Sequence, residues 1–197
     1  GFVVTTDIEN CGKMMERQRF RAPDGMAMWK NDKIAMAHGL LDISGKKQLQ
    51  PYKTKKNNYL VFNGEMYDTN IQNDTKYLAD GLEHYGFKFL EWNDWHGSLA
   101  WYQPEKNKLI VCRDHFGAKP LWIYKKGKHV TVTTSLRSLS DMKENRANKK
   151  GFIVNALLQG NESPYKDVVK VAPGEYVIFD FNKNTIIYKN LWNSFKV

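Results

Sequence analysis

The chain has 197 residues, of which 42% are hydrophobic, 26% charged and 13% aromatic. This length and composition predict one globular domain, residues 1–197, that buries a core without disulfides or structural metals. No apolar run approaches the roughly 20 residues of a membrane-spanning helix, and no signal-like segment opens the chain. Cys11 and Cys112 are too few for a structural zinc site and too far apart to indicate a disulfide scaffold. We therefore expect a reducing, cytoplasmic location.

The net charge is +9, from 30 Lys and Arg residues against 21 Asp and Glu residues. Part of it lies in lysine groups next to Gly or Asn: Lys53, Lys55 and Lys56; Lys125, Lys126 and Lys128; Lys149 and Lys150. Solvated loop tips are the favoured interpretation of these groups. Attraction to nucleic acid or to an acidic partner protein is the alternative. No motif typical of nucleic-acid readers accompanies the charge, so nucleic acid is only weakly supported as a partner.

Short apolar or alternating runs predict β-strands along most of the chain. In order they are Phe2–Thr5, Met26–Trp29, Ile34–His38, Tyr59–Asn63, Ser98–Tyr102, Leu109–Cys112, Leu121–Tyr124, Val130–Thr134, Tyr176–Phe179 and Thr185–Tyr188. The polar segments 125–128 and 182–184 predict hairpin connections. Many short strands close in sequence indicate mostly antiparallel sheet.

The helical segments are fewer. The strongest is Thr75–Tyr85, which has one apolar face, Asp74 as a cap and Gly86 at its end. Further candidates are Glu9–Gln18, Leu136–Lys143 and Phe152–Leu158, with a polar, flexible loop at 144–150. The mixture predicts an α+β sandwich, in which two sheets pack face to face and the helices lie outside.

The segment Asn63-Gly64-Glu65-Met66-Tyr67 follows the apolar run Tyr59–Phe62. An Asn-Gly pair at the end of a strand can aim a side-chain amide and a backbone N–H at one point, as stabilisation of an oxyanion requires. A simple turn is the alternative interpretation of Asn63-Gly64. Asp74 likewise has a purely structural alternative as a helix cap.

Other reactive residue types show no pattern of their own. The histidines have no metal-ligand spacing, and each is expected to be a packing or surface residue, so no metal and no cofactor is predicted. Cys112 lies in an apolar strand and is expected to be buried and unreactive, whereas Cys11 is expected to be exposed or half-buried. Arg113, Asp114 and Lys119 are expected to form a structural charge cluster.

Six segments in chain order carry a resemblance to a known family. They are Arg21-Ala22-Pro23-Asp24, His38 with Gln50-Pro51, Asn63–Tyr67, Asn73-Asp74-Thr75, Arg113–Leu121 and Val171-Ala172-Pro173-Gly174. In these segments the chain resembles the glutaminase domain of asparagine synthetase, a class II glutamine amidotransferase. The resemblance implies the N-terminal nucleophile hydrolase fold, a four-layer αββα sandwich of two mostly antiparallel sheets.

The resemblance also implies a mechanism. In that family a cysteine at the mature N-terminus attacks the side-chain amide of L-glutamine, and its own α-amino group is the base. Residue by residue, the match implies that the Asn63 amide and the Gly64 N–H form the oxyanion hole. It also implies that Glu65 and Asp74 bind the substrate, with Asp74 on the α-ammonium group. The ammonia would be used by an ATP-dependent synthetase chain or domain, and the synthetase domain usual in the family is not found in residues 1–197.

Two departures from the family pattern concern activity. Gly1 corresponds to the second residue of the mature family sequence, so the nucleophilic cysteine is expected immediately before Gly1. The segment His38-Gly39-Leu40-Leu41 lacks the arginine that binds the substrate carboxylate in the family. A catalytically degenerate scaffold that supports a partner is therefore the alternative function, and a basic nucleic-acid-binding module is a more distant one.

Overall fold

The computed structural model describes residues 1–42, 47–67, 71–140, 163 and 165–191. Its strands, in chain order, are β1 (Phe2–Thr5), β2 (Gly25–Lys30), β3 (Ala35–Leu40), β4 (Tyr52–Lys53), β5 (Tyr59–Met66), β6 (Trp95–Gln103), β7 (Lys108–Arg113), β8 (Trp122–Lys126), β9 (His129–Thr133), β10 (Val168–Lys170), β11 (Glu175–Asp180) and β12 (Thr185–Asn190). They form two six-stranded sheets. The first has the order β10-β8-β9-β1-β3-β2, and the second β12-β11-β7-β6-β5-β4. Every strand pair described in these sheets is antiparallel.

The α-helices of the described residues are α1 (Cys11–Glu16), α2 (Asp74–Tyr85) and α3 (Lys88–Trp92). Short 3-10 helices cover Ile8–Asn10, Arg19–Arg21 and Leu136–Leu139. The cap of α2 is Asn73 rather than the predicted Asp74, because the Asn73 side chain accepts a hydrogen bond of 2.8 Å from the Lys76 N–H. Asp74 is instead the first residue of the helix, and its carboxylate is free for other contacts.

The main core lies between the two sheets. Period-two alternation turns Phe2 and Val4 of β1 toward the second sheet, where Val61, Tyr102 and other residues of β5, β6, β7 and β11 meet them. At the edge of this layer the rings of Trp29 and Tyr59 stack with centroids 3.7 Å apart. Burial of these apolar side chains is the main force that holds the sheets together.

Helices cover the outer faces of both sheets. Cys11, Met14 and Met15 of α1 pack on the outward residues of β1 and β3. Leu78 and Leu82 of α2 and the apolar residues of α3 pack on the outer face of the second sheet. The layers are therefore helix, sheet, sheet and helix, and the predicted αββα sandwich is confirmed.

The predicted strands are all present, most of them one to three residues longer or shifted at an end. The strands β4 and β10, of two and three residues, were not predicted because so short a run shows no periodicity. The helix α3 was also missed. The predicted helix Glu9–Gln18 is divided into a 3-10 turn and α1, and Leu136–Lys143 is a 3-10 turn as far as Leu139. The predicted helix Phe152–Leu158 and loop 144–150 lie outside the described residues.

Cys11 was predicted to be exposed or half-buried, and this was wrong. It begins α1 on the face that packs against β1 and β3 and is fully buried, while the exposed Lys13 and Glu16 of the same helix give the sequence its polar character. Cys112 is fully buried, as expected. The lysines at 53, 55, 56, 125, 126 and 128 are exposed, as expected, and Lys149 and Lys150 lie outside the described residues. No helix of the described residues has the length and apolarity to cross a membrane.

Leu109 offers a test of the core between the sheets. It is fully buried on β7, so Leu109→Ala should leave a cavity and lower the free energy of unfolding by about 2–5 kcal/mol. Urea denaturation would measure the change. Ile187→Ala on the exposed face of β12 is the matched control and should change stability by less than about 0.5 kcal/mol. Equal effects of the two substitutions would contradict this assignment of the core.

Candidate active site

A cavity of about 300 Å³ lies between the two sheets, at the low end of the roughly 300–1,000 Å³ typical of small-molecule sites. Gly1 and His38 line it from the first sheet, and Asn63, Gly64 and Glu65 line it from the second. The other lining residues include Arg21, Asp42, Gln50, Asp74 and Lys119. The cavity therefore joins the start of β1 to the end of β5.

The position of Gly1 is fixed by the backbone ladder of the first sheet. Its amino nitrogen donates to Gly39 O, and its carbonyl accepts from Gly39 N, both at 2.8 Å. The next residue, Phe2, donates its N–H to Thr134 Oγ1 at 3.0 Å. Gln18 is fully buried behind it and donates to Phe2 O at 3.2 Å. Hydrogen bonds on both sides of β1 thus hold the first residues at the cavity wall.

A pair of glycines sets the direction of the β5 backbone at the cavity. Gly64 lies opposite Gly97 of β6. The N–H of Gly97 donates to Asp114 Oδ2, and its carbonyl accepts from Asp114 N, both at 2.9 Å, so the polar groups of Gly97 face away from β5. In an antiparallel ladder this makes Gly64–Gly97 a non-hydrogen-bonded pair. The N–H of Gly64 therefore points to the opposite edge of β5.

Beyond β4, which pairs with Tyr59 and Leu60, no strand of the described residues lies along that edge of β5. Backbone N–H and C=O groups point to alternate edges along a strand, so those of Phe62 and Met66 face the same edge as those of Gly64. The Gln50 side chain accepts from Phe62 N at 2.6 Å and donates to Phe62 O at 3.3 Å. Asp74 Oδ2 accepts from Met66 N at 3.1 Å. Side chains thus occupy the edge on either side of Gly64, and the Gly64 N–H between them faces the cavity.

Only glycine fits at positions 64 and 97, where β5 and β6 lie closest together. A Cβ atom on Gly64 would lie 2.6 Å from Gly97 Cα and would also collide with the His96 carbonyl. Gly97 has φ +147°, a conformation that side-chain-bearing residues rarely adopt. The two strands therefore approach closely at the residue whose N–H faces the cavity.

The Asn63 side chain lies on the inner face of the second sheet, because it follows Tyr59 and Val61 in alternation along β5. Its Nδ2 atom is buried but has no hydrogen-bond partner in the described part of the chain. Buried amide nitrogens nearly always find an acceptor, so an unpaired one at a cavity wall is positioned for an acceptor in the cavity. The neighbouring Gly64 N–H faces the same space.

Both of the predicted substrate-binding carboxylates border the same cavity. Glu65 adjoins the Asn63-Gly64 pair on β5, and Asp74 stands at the start of α2. One oxygen of Asp74 holds Met66 N, which fixes the carboxylate beside β5. The structure therefore brings Asn63, Gly64, Glu65 and Asp74 together with Gly1 around one space.

His38 lines the cavity opposite β5 and is 4% exposed. Burial lowers the pKa of its imidazole to about 3, although a hydrogen bond with the Phe62 backbone opposes the shift. The ring is therefore neutral at pH 7, and its Nδ1 atom has no partner in the described residues. His38 is a packing residue, as expected, but it also supplies a polar atom to the site.

The Arg113–Leu121 segment contributes Lys119 to the cavity wall from a tightly bonded loop. Asp114 Oδ1 accepts from Phe116 N at 3.0 Å and from Ala118 N at 3.1 Å. Arg113 donates to the carbonyls of Lys119 at 2.8 Å, Val171 at 2.9 Å and Gly117. Asp114 and Arg113 are thus structural residues that bond to backbone groups. Lys119 joins them only through its carbonyl; its side chain makes no ion pair or hydrogen bond with the described residues, and Lys119 lines the cavity.

Sequence reasoning assigned no site role to Arg21, His38, Gln50 or Lys119, although all of them line the cavity. A polar residue at an inward position of a strand, as at His38, is a signal that could have found one of them. Neither cysteine offers a thiolate here, since burial raises the pKa of Cys11 to about 12 and that of Cys112 well above its usual range. Within the described residues, no group of His, Cys, Asp and Glu could hold a metal ion.

Asp114→Asn should destabilise the protein through the loop. The amide has one acceptor oxygen in place of the carboxylate's two, so at least one of the three bonded N–H groups, of Gly97, Phe116 and Ala118, loses its partner and stability falls by about 1–3 kcal/mol. Urea denaturation would measure this, with Asp80→Asn on the exposed face of α2 as the control. A change no larger than that of the control would show that the carboxylate is not required.

His38 predicts a component of acid destabilisation. The unfolded imidazole binds a proton below about pH 6.5 and the folded one only near pH 3, so unfolding free energy falls as pH drops between these values. From pH 7 to pH 5 this component amounts to about 2 kcal/mol. Urea denaturation of the wild type and His38→Gln at both pH values would isolate it. Parallel losses in the two proteins would refute the assignment.

Comparison with known proteins adds the family. The family model described as glutamine amidotransferase domain matches residues 3–192 of the sequence. A curated relative, named Putative asparagine synthetase 2 (glutamine-hydrolyzing) of Methanocaldococcus jannaschii, is 25% identical over 227 residues, covering 93% of this chain and 43% of the relative. The chain thus spans less than half the length of that protein.

Solved structures show the same fold. Glutamine phosphoribosylpyrophosphate amidotransferase from B. subtilis, complexed with ADP and GMP, superposes with a TM-score of 0.69 at 14% identity, over 98% of this chain and 49% of that one. A structure of the allosteric regulatory enzyme of purine biosynthesis has the same TM-score and identity, over 97% and 49%. The architecture is therefore shared with much longer enzymes. Together with the domain match over almost its whole length, this shows that the chain belongs to the glutamine amidotransferase domain family.

Proposed function

We propose that this domain hydrolyses L-glutamine to glutamate and ammonia. One observation carries the proposal: the unpaired Asn63 Nδ2 and the outward Gly64 N–H face a single cavity that Gly1 also lines. Two donors aimed at one point can hold the negative oxygen of a tetrahedral intermediate. Membership of the family supports the same reaction.

In the proposed reaction, a cysteine immediately before Gly1 supplies the nucleophilic sulfur. The α-amino group of that cysteine takes the thiol proton, the sulfur bonds to the side-chain carbonyl carbon of glutamine, and the carbonyl oxygen takes the negative charge beside Asn63 and Gly64. The α-ammonium group then gives the proton to the amide nitrogen, the C–N bond breaks, ammonia leaves, and a thioester remains. Water cleaves the thioester to glutamate and regenerates the thiol.

The carboxylates of the cavity orient the substrate in this proposal. Asp74 binds the α-ammonium group, because it lines the cavity and the Met66 N–H holds its carboxylate beside β5. Glu65 lies beside the oxyanion donors on β5 and contributes a second negative charge to the same end of the substrate. Held at this end, glutamine directs its side-chain amide toward Gly1.

We further propose that the ammonia serves an ATP-dependent synthetase, on another chain or another segment. The curated relative, of which this chain covers 43%, has glutamine hydrolysis and asparagine synthesis in its name. A cytoplasmic location stays our prediction from the cysteine content.

Asn63→Ala should lower kcat for glutamine hydrolysis by about 10²–10³-fold with little change in KM, because it removes one of two oxyanion donors. The measurement is glutamate release by protein that begins with cysteine directly before Gly1. Asn190→Ala, on the exposed part of β12, is the control and should keep full activity.

Two outcomes would count against the proposal. Full activity in Asn63→Ala would remove the oxyanion role from this residue. The lack of glutamine turnover in the wild type, both alone and with a synthetase partner, would reject the enzyme and favour a scaffold function.

A further inference from the structure

The cavity carries charges of both signs. Asp42, Glu65 and Asp74 bring carboxylates to its wall, and Arg21 and Lys119 bring cations. An α-amino acid needs both, one for its ammonium group and one for its carboxylate. The carboxylates already provide for the ammonium group, so the question is which cation receives the carboxylate.

Arg21 already has a partner in the first sheet. Its Nη1 donates to Thr134 O at 3.2 Å, and its Cζ lies 3.5 Å from where a Cβ of Gly1 would be. Arg21 is therefore held against the backbone beside Gly1. Lys119 is the other cation that lines the cavity.

Lys119 enters the cavity beside β5. The Lys119 carbonyl accepts from Arg113 Nε at 2.8 Å, and the next carbonyl, of Pro120, accepts from Ser98 Oγ at 3.4 Å. Ser98 lies directly opposite Asn63 in the β5–β6 ladder. The backbone at Lys119 is therefore fixed one strand away from Asn63 and Glu65, on the inner face of the sheet.

The ammonium group of Lys119 is available for a ligand. The side chain is half-buried, lines the cavity and makes no ion pair or hydrogen bond with any residue the structure describes. An ammonium group that is partly removed from water gains most from an anionic partner, and the loop provides none.

We propose that Lys119 binds the α-carboxylate of the substrate and so selects free α-amino acid amides over other primary amides. This inference rests on the proposed glutaminase function. A lysine ammonium group binds a carboxylate as a point charge, whereas an arginine guanidinium group binds it through two parallel hydrogen bonds. Lys119 would therefore fix the position of the carboxylate more than its orientation.

The test compares L-glutamine with 4-aminobutanamide, which has the same amide and amine but no α-carboxylate. In Lys119→Met, KM for glutamine should rise by about 10–100-fold while kcat stays within about threefold, because the contact is made equally in ground and transition states. The inhibition constant of 4-aminobutanamide should be the same in wild type and variant. Lys119→Arg should recover most of the affinity for glutamine.

Lys88→Met on the exposed face of α3 is the matched control and should leave both constants unchanged. An unchanged KM for glutamine in Lys119→Met would overturn the inference and leave the proposed function intact. Equal weakening of both ligands would also overturn it, as it would indicate general damage to the cavity. If 4-aminobutanamide binds too weakly to measure, the KM of glutamine alone decides. Wild-type protein that neither binds nor hydrolyses glutamine would overturn both proposals.

Discussion

The close approach of β5 and β6 at Gly64 and Gly97 is the constraint on which the site depends. Because Asp114 takes both polar backbone groups of Gly97, the opposite residue must direct its own N–H to the free edge of the sheet. The pairing of Gly64 with Gly97 also fixes the register of β5, so the Asn63 side chain is directed to the inner face of the sheet. A slip of one residue would turn Asn63 outward and bury the Gly64 N–H in the ladder.

The packing of the two sheets brings Gly1, at the start of β1, to the same cavity as Asn63 and Gly64. β1 is an inner strand of its sheet, bonded to β3 on one side and β9 on the other, so its first residue is held as firmly as its middle. Chain ends are usually among the least ordered parts of a domain. Here the start of β1 is packed between neighbours and faces β5 across the core, so the position of a reactive group there depends on the sheets rather than on a loop.

Much of this could be predicted from the sequence. The strands have clear two-residue alternation, and the Asn-Gly pair at the end of β5 could be recognised by its chemistry, since side-chain amide and backbone N–H occur in adjacent residues. The cap at Asn73 and the burial of Cys11 were missed because each depends on a single residue. The polar neighbours of each residue favoured a different prediction. The position of Lys119 at the cavity could not be predicted, because charges next to Arg113 and Asp114 suggest mutual pairing. Only the fold shows that backbone groups satisfy those two and leave the lysine over the cavity.

The Gln50 carboxamide binds both polar groups of Phe62 in the way that a neighbouring strand would. Since Asp74 holds Met66 N farther along, the free edge of β5 offers a gap of one residue and not a surface for strand addition. Another polypeptide would need several consecutive free backbone groups to pair here, and Gln50 and Asp74 already occupy those of Phe62 and Met66. The same side chains therefore protect this edge against the addition of a further strand.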